Sequence, residues 1–453
     1  MRETNFTVLG IGKRGKSGLA SALALTSLGI PTLVSEYEDE AQYPEEAELL
    51  RRVGAEVEFG GHSERIFERQ VIVTCPGIKP QAAPLVEAQR RGIPVWSEIE
   101  LAYRLSPAPI VAITGTNGKT TTTALTASVL SQGNRPVRVG GNIGTPLVSV
   151  VQGAPPRARI VAEIGAPQLE HIHHFRPHVA VLLNLSEDHL DRYPDMGAYR
   201  RVKSRLVECQ TASDRVIRNM DDEWSRETPS WGRSYPFGRP SDEEGAWVEG
   251  GAIWICREGK REVVMDCQQL PLPGRANLEN ALAAVSVGSI LGLSTQAIAR
   301  GLAQFPGVEH RLECVTTIKG VTYLNDSSST NPLSTIRAMA VVANPTILLL
   351  GGSEKGANYS ELARVAAHKA KRTILYGATR NRIAQAFHEV ENYAFLVEEG
   401  DLRAVLERAR SLASPGDVVL FSPACASFDM FRDFEHRGEI FRELVLEMEH
   451  GHP

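Results

Sequence analysis

The residues Thr114-Gly115-Thr116-Asn117-Gly118-Lys119-Thr120-Thr121-Thr122 carry the most distinctive chemistry of this sequence. Gly115 and Gly118 free the backbone to turn its N–H groups onto phosphate oxygens, and a helix starting at Lys119 would add the partial positive charge of its N-terminus. In such a loop the Lys119 ammonium reaches the β- and γ-phosphates and the Thr120 hydroxyl holds Mg²⁺. Gly115, Thr116, Asn117, Gly118, Lys119, Thr120 and Thr121 are therefore the candidate ATP-binding set. The spacing is short: only Thr116 and Asn117 separate the two glycines, where the usual phosphate loop has four intervening residues. The competing reading is an ordinary strand-to-helix turn with a surface lysine. The flanks favour the phosphate loop, because Pro109-Ile110-Val111-Ala112-Ile113 reads as a buried strand and Ala124 to Leu130 as a helix.

Other reactive side chains fall at comparable places. Glu163 ends the apolar run from Ile160, and His189 follows the run Val179 to Asn184. Both lie at or beyond strand ends, on the side where Thr120 belongs. A carboxylate and an imidazole suit a metal beside a nucleotide, although Mg²⁺ prefers oxygen ligands. Lys203, on a helix, reads by itself as a solvated charge. Asn277 and Asn280 share one face of a helix and could read an adenine edge or cap that helix. Arg311 is a candidate phosphate ligand or a surface arginine. Cys425 reads as packed, with no adjacent histidine to activate it.

The N-terminal stretch runs from a strand, Phe6 to Leu9, into Gly10-Ile11-Gly12-Lys13-Arg14-Gly15, then a helix from Ser17 to Leu28 and a second strand ending at Glu36. This matches the dinucleotide fingerprint, including its acid. Taken alone it fits several phosphate ligands, or tight helix packing. A further strand, Val71 to Thr74, ends in Cys75-Pro76-Gly77-Ile78. Ligands of open α/β sheets sit beyond strand carboxyl ends, so both turns could line one pocket. A nicotinamide-dependent dehydrogenase is one rival reading, but it leaves the Gly-Lys-Thr loop unexplained. A motor-type P-loop protein is another.

The elements that position these residues alternate strand and helix, which implies parallel sheets in an α/β fold. With 453 residues the chain exceeds one core, and about 100–200 residues per domain is the prior. Two prolines in Ser106-Pro107-Ala108-Pro109 mark a linker. The expected domains are 1–107, 108–306 and 307–453. Residues 230–262 read as a small antiparallel addition. The last domain has strands at Tyr323 to Ser327, Thr346 to Leu350 and Val418 to Ser422, with loops Gly351 to Gly356 and Pro423 to Asp429 at their carboxyl ends. A net charge of −5 argues against a nucleic-acid surface. No apolar run approaches the roughly 18 residues that span a bilayer, and Met1 to Phe6 has no signal-peptide core. The cysteines form no C-x-x-C pair, so neither a disulfide framework nor a zinc site is expected. A cytoplasmic protein is expected.

Together the strings TGTNGKTTT, NLSEDHLDRY, HRLE, NDSSSTN, LGGSEKG and, most specifically, SPACASFDMFRDFEHRG resemble the Mur ligases, ATP-dependent amide-forming enzymes. The resemblance covers nearly the whole chain. It implies three domains: a Rossmann-like one holding a UDP group, a central P-loop ATPase-type one, and a Rossmann-like C-terminal one that closes over ATP and binds the incoming amino acid. The strings look most like the branch that adds D-glutamate to UDP-N-acetylmuramoyl-L-alanine (UDP-MurNAc-L-Ala) through an acyl phosphate. Carried over, the resemblance puts Lys119, His189 and Lys203 at the chemistry and Thr120, Glu163, His189 and Lys203 at a pair of Mg²⁺ ions, with Lys203 carbamylated. It puts Asn277, Asn280, Arg311 and Asp326 at ATP. Gly12, Lys13, Arg14, Cys75, Pro76, Gly77, Asn142, Gln168 and His189 fall to the UDP-substrate, and Thr330, Lys355, Ser427 and Phe434 to D-glutamate. The chain is expected to be a monomer that uses small molecules, with no nucleic-acid or membrane partner. It departs from the family at Gly165-Ala166-Pro167, where serines are usual, at Ser328, where lysine is common, and at Lys13, Arg14 and Cys75.

Overall fold

In a computed structural model, residues 4–12, 17–142, 144–189, 192–272, 274–353, 356–391 and 393–450 are described. Lys13, Arg14 and Lys355, expected at ligands, lie outside them. The chain divides into two compact units, residues 1–305 and 306–453.

The first unit holds two sheets. One comprises β1 (Phe6–Leu9), β2 (Thr32–Ser35), β3 (Glu56–Glu58), β4 (Val71–Thr74) and β5 (Val95–Ser97), in the order β3-β2-β1-β4-β5. All its pairings are parallel. β1 and β4 are buried throughout, as a parallel sheet covered on both faces requires.

The other comprises β6 (Ile110–Thr114), β7 (Val137–Gly141), β8 (Arg159–Glu163), β9 (Val179–Leu182), β10 (Arg215–Asn219), β11 (Arg233–Phe237), β12 (Gly245–Glu249), β13 (Ala252–Arg257) and β14 (Lys260–Asp266). The order is β14-β13-β12-β11-β10-β9-β6-β8-β7. β12, β13 and β14 pair antiparallel, so the expected antiparallel addition continues this sheet. Gly140 and Gly141 close the edge strand β7. The chain leaves β6 toward β7 on one side and returns to β9 on the other. That reversal leaves a crevice at the carboxyl end of β6, the place where open α/β sheets take ligands.

Two buried carboxylates bind these sheets together through the helix Glu98–Leu105. Glu98 accepts from the Val148 N–H at 2.6 Å, and Glu100 accepts the N–H groups of His173, His174 and Phe175, each at 2.9 Å.

The second unit has one sheet: β15 (Glu313–Ile318), β16 (Val321–Asn325), β17 (Thr346–Gly351), β18 (Ala370–Tyr376), β19 (Phe395–Val397) and β20 (Val418–Phe421). Its order is β15-β16-β20-β17-β18-β19, with only β15 antiparallel. The loops after β16, β17 and β20 share one edge, and those after β16 and β20 carry Asp326, Thr330 and Ser427. Among the described residues no helix is long and apolar enough to cross a membrane.

Candidate active site

The phosphate loop leaves β6 at Thr114, whose hydroxyl donates to the Ile164 carbonyl at 2.8 Å beyond β8. Asn184, just past β9, braces the loop from the other side. Its carbonyl accepts from Thr116 N–H at 2.8 Å and its side-chain oxygen from Asn117 N–H at 2.9 Å. The loop is thus fixed by both strands that flank β6. The helix Lys119–Ser131 then begins at Gly118, whose φ is +81°. A Cβ at Gly118 would lie 2.3 Å from Asn280 Oδ1, so left-handed backbone and a close neighbour together require glycine. Asn280 is buried and accepts from the Thr122 hydroxyl at 3.1 Å. Its side-chain oxygen therefore holds the first turn of the phosphate helix. Asn277 lies one turn earlier on the same helix, Arg275–Ile290.

Lys119 donates to the loop carbonyls of Gly115, at 3.1 Å, and Thr116, at 2.9 Å. The Thr120 hydroxyl donates to Glu163 Oε2 at 2.9 Å, while the Asn142 amide donates to Glu163 Oε1 at 2.9 Å. Glu163 ends β8 and is 1% exposed. Asn142 seats there because residue 165 is glycine: a Cβ at Gly165 would lie 2.5 Å from Asn142 Oδ1. The departure from serine at this position is thus coupled to where Asn142 points. Gln168 is buried and accepts the Gly165 N–H at 2.9 Å.

Lys203 is not a solvated charge. It is 1% exposed, and its Nζ donates to the Gly115 carbonyl at 2.7 Å and to Thr114 Oγ1 at 3.4 Å. Burial, then the neighbouring Lys119 cation, pushes its amine well below the usual lysine range, against the pull of Asp188 and Glu163. The amine shares the Gly115 carbonyl with Lys119, so two nitrogens meet under one loop.

His189 has a left-handed φ of +56° and an exposed side chain. Its ring packs against Tyr199 at 5.9 Å between centroids, and Nε2 lies 3.8 Å from Asp188 Oδ2. Tyr199 approaches Thr116 Oγ1 at 3.4 Å, which links the histidine turn to the phosphate loop. Among the described residues no three His, Cys, Asp or Glu side chains converge as a metal cluster. The oxygen donors that do meet are those of Thr120 and Glu163.

At the first sheet, Gly10 and Gly12 have φ of +81° and +87°. Glu36 does not stand free for a ribose: its carboxylate accepts from Ile11 N–H at 2.7 Å and Glu38 N–H at 3.2 Å. The Cys75 thiol is buried and donates to the Gly10 carbonyl at 3.0 Å, so it joins the two turns. Pro76 and exposed Gly77 follow in a turn closed by Ile78 N–H to the Cys75 carbonyl at 3.1 Å. Arg192, part of the string NLSEDHLDRY but given no role there, ties this turn to the central sheet. It donates to the Ile78 carbonyl at 2.8 Å and to both oxygens of Glu170, at 2.7 and 2.6 Å.

In the second unit Asp326 is buried. It accepts from the hydroxyls of Ser329 at 2.6 Å and Ser422 at 2.7 Å and from Leu312 N–H at 3.2 Å. Burial pushes its carboxyl up to about 6. Its oxygens hold the loops after β16 and β20, and Arg311 beside it is exposed. Thr330 is half-buried, Ser427 buried and Phe434 half-buried. Their segments meet, since the Ser327 hydroxyl donates to the Phe434 carbonyl at 2.8 Å.

Sequence profiles of two domain families match: the Mur ligase middle domain over residues 113–288, and the Mur ligase glutamate ligase domain over residues 310–425. The chain is similar to the UDP-N-acetylmuramoylalanine–D-glutamate ligase of Pelotomaculum thermopropionicum, with 42% identity over 453 residues, 99% of each chain. It is 41% identical over 439 residues to the ligase of that name from Koribacter versatilis, covering 96% of each. Among solved structures it shares its fold with the UDP-N-acetylmuramate-alanine ligase MurC of Thermotoga maritima, at a TM-score of 0.60 and 19% identity over 98% of this chain and 100% of that one. MurF of Acinetobacter baumannii gives a TM-score of 0.62 at 17% identity, covering 97% of this chain and 93% of that one.

Proposed function

The chain belongs to the Mur ligase family, and from that premise we propose that it is the ATP-dependent ligase that joins D-glutamate to UDP-MurNAc-L-Ala in peptidoglycan precursor synthesis. The observation that carries this reading is the end-to-end identity of 42% to a ligase of that activity. The gathering of Lys119, Thr120, Glu163 and Lys203 around one phosphate loop fits it.

The reaction turns a poor electrophile into a good one. The alanine carboxylate takes the γ-phosphoryl group of ATP, giving an acyl phosphate and ADP. The D-glutamate amine attacks the acyl carbon, a proton leaves the nitrogen, and phosphate departs. Catalysis of phosphoryl transfer is largely positioning and electrostatics. Lys119 exchanges its loop carbonyls for phosphate oxygens and neutralises charge there. Backbone N–H groups at the start of the helix Lys119–Ser131 face the same phosphates.

Thr120 and Glu163 offer hard oxygen donors 2.9 Å apart beside the loop, a set that suits Mg²⁺. Bound there, Mg²⁺ would supply charge neutralisation for the nucleotide phosphates. Lys203 fits carbamylation. Its depressed basicity leaves a neutral amine that can add CO₂, forming an N–C bond, releasing one proton and replacing an amine with an anion. That anion would join Thr120, Glu163 and His189 as a ligand for a pair of Mg²⁺ ions. His189 orients the substrate rather than carrying the proton. Asn142 and Gln168 meet the muramoyl-alanine part, and the turns at Gly12, Lys13, Arg14 and Cys75 to Gly77 meet the UDP group. Asn277, Asn280, Arg311 and Asp326 serve ATP; Thr330, Lys355, Ser427 and Phe434 serve D-glutamate. The enzyme acts as a cytoplasmic monomer on small molecules, with no nucleic-acid partner.

The test is phosphate release from ATP with UDP-MurNAc-L-Ala present, scanned across D- and L-amino acids. Release should require both the nucleotide and D-glutamate. Release without an amino acid, or with another amino acid preferred, would overturn the assignment.

A further inference from the structure

Arg437 is a buried cation whose purpose the reaction does not explain. It lies on the helix Phe434–His450 and is 0% exposed. Its guanidinium donates Nε–H to Ser327 Oγ at 3.0 Å and Nη2–H to the Ser327 carbonyl at 2.8 Å. Nη1 donates to the carbonyls of Cys425 at 3.0 Å and Ala426 at 3.2 Å. Every one of these acceptors is a neutral oxygen. A guanidinium buried without a carboxylate partner is costly, and an apolar side chain would fill the space more cheaply. A planar fork of donors, however, can fix two strands of backbone at a set spacing, which no apolar side chain can do.

The spacing it fixes is that of the loops after β16 and β20. Ser327 precedes Thr330, and Ala426 precedes Ser427. Ser327 also donates to the carbonyl of Phe434, at the start of the arginine's own helix. A third loop rests on the same group. The Ala426 carbonyl, which accepts from Arg437, also accepts Ser353 N–H at 2.8 Å. A Cβ at Gly352 would come within 3.1 Å of Arg437 Nη1. One guanidinium thus underlies the loops after β16, β17 and β20; among the described residues no carboxylate pairs with it directly, and Asp429 supports its charge from farther off.

We propose that Arg437 is the positioning residue of the amino-acid pocket: it sets the spacing of the loops bearing Thr330 and Ser427 and lends that pocket positive charge for a dicarboxylate substrate. The inference rests on the reading of these residues as the D-glutamate site. The experiment compares Arg437→Met, Arg437→Lys and Ser327→Ala with the parent enzyme, measuring KM for D-glutamate, ATP and UDP-MurNAc-L-Ala, with thermal melts alongside. Arg437→Met should raise KM for D-glutamate by about 10-fold or more while the other two KM values stay within about 2-fold. Arg437→Lys keeps the cation but not the fork and should recover part of the loss. Ser327→Ala removes the hydroxyl that accepts from Arg437 Nε–H and donates to the Phe434 carbonyl, leaving the other three guanidinium bonds, and should raise KM for D-glutamate about 3-fold. A purely structural role would move the melt and all three KM values together, or none, and either result would overturn the proposal. If Arg437→Met does not fold, Ser327→Ala and Arg437→Lys decide it by the same comparison. If the parent enzyme proves to use a different amino acid, the substrate reading fails by itself, and the same variants judged on that amino acid decide the role of Arg437.

Discussion

The Lys203 amine lies 2.7 Å from the carbonyl oxygen of Gly115, inside the turn that the phosphate loop makes on leaving its strand. A fully charged lysine would be costly there, because burial and Lys119 both oppose the charge. The folded-state pKa is depressed while the unfolded lysine keeps its ordinary 10.5. Between those two values the unfolded chain holds one more proton, so stability rises with pH across that window. Lys203→Met removes this term. In CO₂-free buffer the variant should melt higher than the parent at pH 7, with the advantage shrinking toward pH 10. Ligation should fall by about 100-fold or more, with partial recovery from small added carboxylates. Calorimetry across that pH range and phosphate release check both halves; a variant that melts lower at pH 7, or ligates normally, refutes the buried-amine account.

Glu163 receives Thr120 and Asn142 on separate oxygens, so its orientation is set before any ligand arrives. Glu163→Gln keeps the shape and removes the charge. The expected result is a fall in kcat of about 100-fold and a Mg²⁺ requirement raised about 10-fold. Titrating phosphate release with Mg²⁺ measures both. An unchanged Mg²⁺ profile would place the ion elsewhere.

Glu98 gives a pH effect of the opposite sign. Its carboxyl is buried, with Oε2 lacking a partner, and burial pushes its pKa up to about 7 from 4.5. The folded state therefore holds the extra proton, and the stabilisation is complete below pH 4.5 and lost as pH rises through 7. Above that the parent should have lost up to about 3 kcal/mol. Glu98→Gln keeps an acceptor for the Val148 N–H and cannot ionise. Denaturant titrations at pH 5 and pH 8 should show a smaller difference for the variant than for the parent. Equal differences would mean that Glu98 does not titrate in this range.

The elements most legible in the sequence were those with unbroken apolar runs. β6, β9, β17 and β20 are buried along their length, and parallel sheets covered on both faces demand that pattern. β3, Glu56–Glu58, and β15, Glu313–Ile318, were not read as strands, because sheet-edge strands keep charged and exposed positions that erase the pattern. The phosphate loop was legible because backbone conformation and glycine spacing write it locally. Lys203 was not: a lysine on a helix looks solvated, and only packing against residues 88 positions away makes it buried. Asn184 left a weak signal, a polar residue closing an apolar strand. The tie between Arg192 and Ile78 spans 114 positions and left none.

That tie yields the sharpest prediction about how the two sheets of the first unit act together. Arg192 grips Glu170, whose side chain is 5% exposed, with two bonds and spends a donor on the Ile78 carbonyl, in the turn that follows Cys75. Arg192→Met alone would leave the Glu170 side chain with only the Tyr193 hydroxyl, at 2.7 Å. An uncompensated buried charge of this kind costs about 3–5 kcal/mol. Adding Glu170→Gln removes the charge and should return most of that stability. It cannot return the donor to Ile78, so KM for UDP-MurNAc-L-Ala should stay raised, about 5-fold or more, in the double variant. Melting temperature and KM for the nucleotide substrate, measured on the single and double variants, separate the two effects. If KM recovers together with stability, Arg192 is only half of an ion pair, and the Cys75 to Ile78 turn is held by other contacts.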